Sequence, residues 1–225
     1  MSSAGPLSDG RHRQAPRFGL EPTRRARPAR PARVAAAGCT VLFVCTANHC
    51  RSPVAECLFA ALPEFAALDW HARSAGTHAR AGEEMHPHAA AVLSARGIDA
   101  SGWRSQPLTA TLIDGADLIL AASREHRRVV ARIVPRAVPR TFLLQQFARY
   151  VANIDSARHV DSLPTLIEQA CAVRAGMQPV PDGHDDLPDP MGQPLPAFEQ
   201  LARRVERDLA TIAGALAAPS RQATA

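Results

Sequence analysis

The apolar run Cys39-Thr40-Val41-Leu42-Phe43-Val44 passes without a break into Cys45-Thr46-Ala47-Asn48-His49-Cys50-Arg51 and then Ser52-Pro53. No other stretch constrains the fold so tightly. A strand-length run without polar alternation predicts a strand buried on both faces, as in a parallel sheet. Ser52 as N-cap and Pro53 at the first helical position predict a helix starting directly after the loop. Val54, Leu58 and Leu62 follow at helical spacing and should face the sheet.

The rest of the chain repeats the alternation. Strands are expected at residues 70–74, 117–121 and 141–143. A helix over 86–96 should end at Gly97 with Ile98 packing back, and one over 123–134 should stop at Pro135. Residues 144–180 read as helical and irregular. Phe198, Leu201, Val205, Leu209, Ile212 and Leu216 then mark a long final helix. Strands alternating with helices imply an α/β fold, a doubly wound four-stranded parallel sheet flanked by helices. With aromatics at only 4%, the core is expected to rest on Ala, Val, Leu and Ile.

Charge argues against a nucleic-acid surface. All 26 basic residues are Arg, a bias that fits a GC-rich coding sequence. Residues 1–37 hold eight Arg against Asp9 and Glu21, which leaves the remainder at −1 out of a total of +5. The basicity belongs to an Arg/Pro/Ala-rich tail without hydrophobic period, expected to be disordered, and 38–218 form the domain. Neither a signal peptide nor a membrane span is evident, so a monomer in the cytoplasm is expected, with no nucleic-acid or membrane partner. Cys39, Cys45, Cys50, Cys57 and Cys171 contain no CxxC pair, and no metal or cofactor is expected.

Cys45 and Arg51 form a Cys-x5-Arg-Ser pattern. At this spacing the intervening amides of Thr46, Ala47, Asn48, His49 and Cys50 can wrap a tetrahedral dianion as a nest, while Arg51 offers a bidentate fork. The following helix turns its positive end to the same point. Helix N-termini and neighbouring cations favour thiolates, so Cys45 is placed to attack phosphorus in line, with the Ser52 hydroxyl near its sulfur. Five Cys, with Arg at about one residue in nine, give about 0.6 accidental Cys-x5-Arg matches, and a following Ser or Thr cuts this to roughly 0.06. The preceding strand and following helix make accident remoter still.

The loop from Val44 to Pro53, with Glu56 soon after, resembles the phosphate loop of low-molecular-weight protein tyrosine phosphatases, in a bacterial, actinobacterial-type version. Ser74-Ala75-Gly76-Thr77 resembles the family's second-strand motif, and Asp186-Leu187-Pro188-Asp189-Pro190 its acid loop. The resemblance runs from about residue 39 to 216 and loosens over 145–185. It implies phosphomonoester hydrolysis, of protein phosphotyrosine first of all, through a phosphocysteine on Cys45. It gives Asp189 the role of general acid and base, with Asp182, Asp185 and Asp186 as nearby rivals. It makes Asn48 a structural pin of the loop, and Cys50 either a partner for a reversible disulfide with Cys45 or a small buried residue. A phosphoprotein, such as a bacterial tyrosine kinase or its targets, is the implied partner.

Three departures bear on substrate. Ala47 stands where Gly is common; His49 stands where tyrosine-specific members are often aliphatic and relatives acting on phosphoarginine have Thr. Met191-Gly192 follow the Asp-Pro pair where aromatics are usual. Two rival readings remain: an arsenate reductase of the same fold, which needs a cysteine relay that only Cys171 is left to supply after Cys57, and a non-catalytic phospho-ligand binding module.

Overall fold

The computed structural model describes Met1 and residues 38–217, apart from 156, 157, 159, 161 and 179. The expected disordered tail falls outside the described residues. Four parallel strands form one sheet: β1 (Cys39–Cys45), β2 (Trp70–Gly76), β3 (Leu118–Ala121) and β4 (Thr141–Leu143), in the order β2-β1-β3-β4. β1 is paired along both edges, Phe43 lying beside Ser74 on one side and Leu120 on the other.

The unbroken apolar run of β1 now has its reason. Val41 and Phe43 face one core cluster, whereas Leu42 and Val44 face a second, smaller one. The larger cluster is covered by α1 (Arg51–Ala61), α2 (Pro63–Ala67), α3 (Pro87–Ser94), α6 (Leu144–Val151), α7 (Leu163–Gly176) and α8 (Leu195–Ala217). The smaller one lies under α4 (Ala110–Gly115) and α5 (Arg124–Ile133), where Ile113 and Val130 are wholly buried. Residues 144–180, illegible in detail from the pattern, form α6 and α7.

The core rests mainly on Ala, Val, Leu and Ile, as the composition suggests, with Phe43, Phe59, Phe65, Phe142, Phe147 and Phe198 as its largest fully buried side chains. Phe59 and Phe65 stack at 3.9 Å and continue to Phe43 and Trp70, a geometry that adds to simple area burial. One expectation needs correction: Ser52 is not an N-cap. α1 begins at Arg51, Cys50 takes the cap position without a side-chain bond, and Pro53 sits in the first turn, where no helical N–H is needed. The Ser52 hydroxyl is thereby released for the loop. Ser123 does cap α5 as its position suggests, and Gly97, at φ +73°, ends α3's extension with the Ile98 amide bonded back to the Leu93 carbonyl.

The C-terminal ends of β1, β2 and β3 gather the loops that matter. Gly76, the end of β2, runs so close to the loop after β1 that an added Cβ would lie 2.5 Å from the Thr46 carbonyl oxygen and 2.8 Å from the Asn48 amide nitrogen. Backbone on backbone has no side chain that can yield. Gly76→Ala is therefore expected to destabilise the protein by about 1–3 kcal/mol, as overpacking does, measured by urea denaturation. Unchanged stability would show that the loop gives way freely.

Candidate active site

The loop after β1 closes round Asn48. Its φ of +59° is left-handed, a conformation that Asn tolerates better than most residues. Ala47 stays at negative φ, so the replacement of a usual Gly costs nothing there. Asn48 is wholly buried, and its side chain ties down three segments. Nδ2 donates to the Ser52 Oγ at 2.9 Å and to the Ser74 Oγ at 2.8 Å, while Oδ1 accepts from the Gln106 amide at 2.9 Å. The Ser74 hydroxyl in turn donates to Glu56 at 2.5 Å, and the Trp103 indole N–H reaches the same carboxylate at 3.0 Å. Ser74 and Gly76 thus give the second-strand motif its physical content: one brace and one close approach.

At the floor lies Cys45, 2% exposed, its Sγ 2.9 Å from the Ser52 Oγ. Ser52 already accepts from Asn48, so its own hydrogen is free for the sulfur; its alternative acceptor, the Ala75 carbonyl, is 3.5 Å away. Arg51 is 7% exposed, and its Nη2 donates to the Thr46 Oγ1 at 3.1 Å and to the Asp189 carboxylate at 2.6 Å. The guanidinium is wedged at the loop's edge and carries an acid, Asp189.

The placement of Asp189 separates it from its rivals. Asp182 pairs with Arg124, Asp186 accepts the Arg124 amide, and Asp185, 2% exposed, takes a two-pronged bond from Arg149 at 2.7 and 3.2 Å. Burial pushes the Asp185 carboxyl up, but the Arg149 and His184 bonds and charges outweigh it and hold it below the ordinary range. Only Asp189 among these four touches Arg51. It is half exposed and accepts the Met191 amide at 3.2 Å.

Cys50 is buried beside the loop, and burial together with the nearby Cys45 and Asp189 pushes its thiol up to about 12. It is a protonated thiol at neutral pH. His49 lies toward the mouth, its Nε2 2.8 Å from the Glu83 carboxylate but not aligned with it as a hydrogen bond. His86 and His88 pack against Phe198. Among the described residues no cluster of three or more His, Cys, Asp or Glu side chains is gathered as a metal site, and no helix is long and apolar enough to cross a membrane.

One residue of the site was not legible. His126, 4% exposed, sits with Nε2 2.9 Å from the Thr46 Oγ1 and Nδ1 2.7 Å from the Ser123 Oγ. Thr46 already accepts from Arg51, so its hydroxyl can donate to Nε2, leaving Nδ1–H to donate to Ser123. That tautomer satisfies every member of the chain. The only signal in the sequence was position: a His three residues past a capping Ser, at the end of the strand beside β1.

Burial and the Arg51 charge bring the His126 imidazole down to about 4 from an ordinary 6.5. The unfolded chain therefore binds the proton first on acidification. The stabilisation from neutral His126 is complete above about pH 6.5 and drains away as the pH falls toward 4, by at most about 3 kcal/mol. His126→Gln should flatten that part of the stability profile in urea melts across pH 4–7. A variant that keeps the wild-type slope would assign the acid sensitivity elsewhere.

Comparison with known proteins shows the family. The model of the family described as low molecular weight phosphotyrosine protein phosphatase matches residues 40–162. A protein-arginine-phosphatase of Bacillus subtilis is 32% identical over 173 residues, covering 77% of this chain and 93% of the relative. The low molecular weight protein-tyrosine-phosphatase Etp of Escherichia coli is 35% identical over 143 residues, covering 60% and 93%. A solved YwlE arginine phosphatase, a cysteine-to-serine mutant with its active-site serine phosphorylated, superposes with a TM-score of 0.60 at 28% identity, covering 79% of this chain and 95% of that one. The chain is a phosphatase and belongs to the low molecular weight phosphotyrosine protein phosphatase family.

Proposed function

We propose that the protein removes phosphate from phosphorylated protein side chains in two steps, through a phosphocysteine on Cys45. The observation that carries the reading is the convergence of Cys45, Arg51 and Asp189. Asp189 bonds Arg51 across 138 residues of sequence, at the loop whose floor is the Cys45 sulfur. In the first step the Cys45 thiolate attacks phosphorus while Arg51 and the amides of residues 46–51 hold the equatorial oxygens. Asp189 gives its proton to the departing oxygen, without which a poor leaving group is expelled slowly. In the second, the same carboxylate takes a proton from water as that water attacks the phosphocysteine, and the Ser52 hydroxyl donates to the sulfur as it leaves. A relative carrying phosphate on the serine that replaces its cysteine supports the covalent step.

Protein phosphotyrosine, on a kinase or its targets in the cytoplasm and with the phosphatase acting as a monomer, is the first substrate reading. A second, phosphoarginine, is favoured by one feature of the mouth. His49 and the half-exposed Glu83 carboxylate stand there, and the residue after Asp189-Pro190 is the exposed Met191 in place of an aromatic wall. A carboxylate suits a guanidinium leaving group, whereas a phenol prefers apolar walls. The named phosphatase relatives fall on both sides of this choice.

Cys45→Ser should abolish turnover of p-nitrophenyl phosphate while oxyanion binding, measured by calorimetry, stays within about threefold. Asp189→Ala should slow turnover by about 10²–10⁴-fold for poor leaving groups and much less for good ones. Equal losses on both would remove the acid role. A panel of phosphotyrosine, phosphoarginine and phosphoserine peptides, assayed with chelator present, ranks the substrates. If Glu83 favours a guanidinium, Glu83→Gln lowers kcat/KM for phosphoarginine alone.

A further inference from the structure

Arg51, Thr46, His126 and Ser123 are joined by hydrogen bonds that run one way. A guanidinium only donates, so the Arg51 Nη2 gives its hydrogen to the Thr46 Oγ1 at 3.1 Å. The Thr46 hydroxyl keeps its own hydrogen for the His126 Nε2 at 2.9 Å, and the His126 Nδ1–H serves the Ser123 Oγ at 2.7 Å. Ser123 is fixed in turn as the cap of α5. A helix beside β3 thereby acts on the guanidinium of the loop after β1.

Packing does not account for this chemistry. His126 is 4% exposed and lies beneath the exposed Thr46. An apolar side chain would cover the strand end as well, and would leave the Thr46 hydroxyl to turn toward water. Burial first, and then the Arg51 charge, bring the imidazole down to about 4, while Glu125 on the same helix and Asp189 and Asp186 of the acid segment pull the other way without prevailing. Nε2 therefore keeps its lone pair at neutral pH.

The chain matters most when Asp189 is protonated. The Arg51 Nη2 has two partners, the Thr46 Oγ1 and the Asp189 carboxylate at 2.6 Å. An acid ready to give up a proton is uncharged, and a neutral carboxyl grips a guanidinium far less firmly than a carboxylate does. Thr46 is then the firm anchor on that nitrogen. Its oxygen faces the guanidinium because its hydrogen points at His126.

We propose that His126 is a positioning residue of the phosphatase: its neutral Nε2 orients the Thr46 hydroxyl, and through it keeps the Arg51 guanidinium turned toward the oxyanion while Asp189 carries its proton. This role presupposes the reading above that Arg51 holds the equatorial oxygens. It also sets Thr46 apart from the loop residues that act by their amides, since here the side chain does the work.

The test is inhibition of p-nitrophenyl phosphate turnover by sulfate, a dianion for the oxyanion cradle, with the full chain. His126→Phe removes the acceptor and should weaken sulfate about tenfold, the difference made by one well-aligned charge-assisted bond, and lower kcat/KM by at least as much. His126→Gln keeps an acceptor close to where Nε2 stands and should bring both back to within about threefold of wild type. Because a Phe in a buried polar position can unfold the chain, Thr46→Val supplies a second route: the position is exposed, so the loss of its hydroxyl leaves the fold intact. Thr46→Val should match His126→Phe, and Thr46→Ser should stay near wild type. Combining Thr46→Val with His126→Phe should weaken sulfate no further than either alone, the mark of one shared contact. In an Arg51→Lys background, which lacks the fork, His126→Phe should cost nothing more. Full sulfate affinity in Thr46→Val, or losses that add in the double variant, would leave His126 a packing residue and overturn the proposal. An Arg51→Lys variant that binds sulfate as tightly as wild type would remove Arg51 from the cradle, and would overturn the catalytic reading together with this one.

Discussion

A single side chain carries a disproportionate share of this site's order. Asn48 adopts a backbone conformation that costs most residues energy, and its amide repays that cost by bonding Ser52, Ser74 and the Gln106 amide in the dry space under the loop. Each of those partners belongs to a different element: the first turn of α1, strand β2, and the segment leading to α4. Cys45 inherits its surroundings from this knot, because the hydroxyl beside its sulfur is one of the groups that Asn48 holds. Beyond it, Glu56 and Trp103 extend the bracing outward. A buried network of this kind is stiff only when every member is satisfied, and here each of these contacts has its donor and its acceptor.

How far the sequence foretold this depended on how local each feature was. The strand, loop and helix start lie within fifteen or so consecutive residues, and the apolar run, the Cys-Arg spacing and the proline all bear on the same short stretch. Their chemistry could be read directly. Ser52 shows the limit even there: its residue type suits a helix cap, but the helix starts one residue earlier and the hydroxyl turns inward to the sulfur. Asp189 was marked among four nearby aspartates only by its resemblance to the family's Asp-Pro pair, and the pairing of the others with Arg124 and Arg149 adds a physical reason to set them apart.

His126 and Glu83 were silent for another reason. Each gains meaning from contacts between elements far apart in sequence: α5 against the loop for His126, and the segment before α3 against His49 for Glu83. Aromatic content foretold which residues are numerous in the core but not where its rings go: among the described residues the six buried Phe all lie on one side of the sheet.

The stem of the acid segment is sewn to the sheet. The Leu187 amide bonds the Ala122 carbonyl just past β3, the Asp186 carboxylate accepts the Arg124 amide, and Asp185 is locked under Arg149. Enzymes that carry a catalytic group on a hinged lid must wait microseconds to milliseconds for it to swing shut, and that wait often limits turnover. Here the carboxylate of Asp189 travels with the strand ends that carry the sulfur. Under the proposed mechanism the pace of the reaction is then set by bond-making at phosphorus or by departure of product, with no gate to open first.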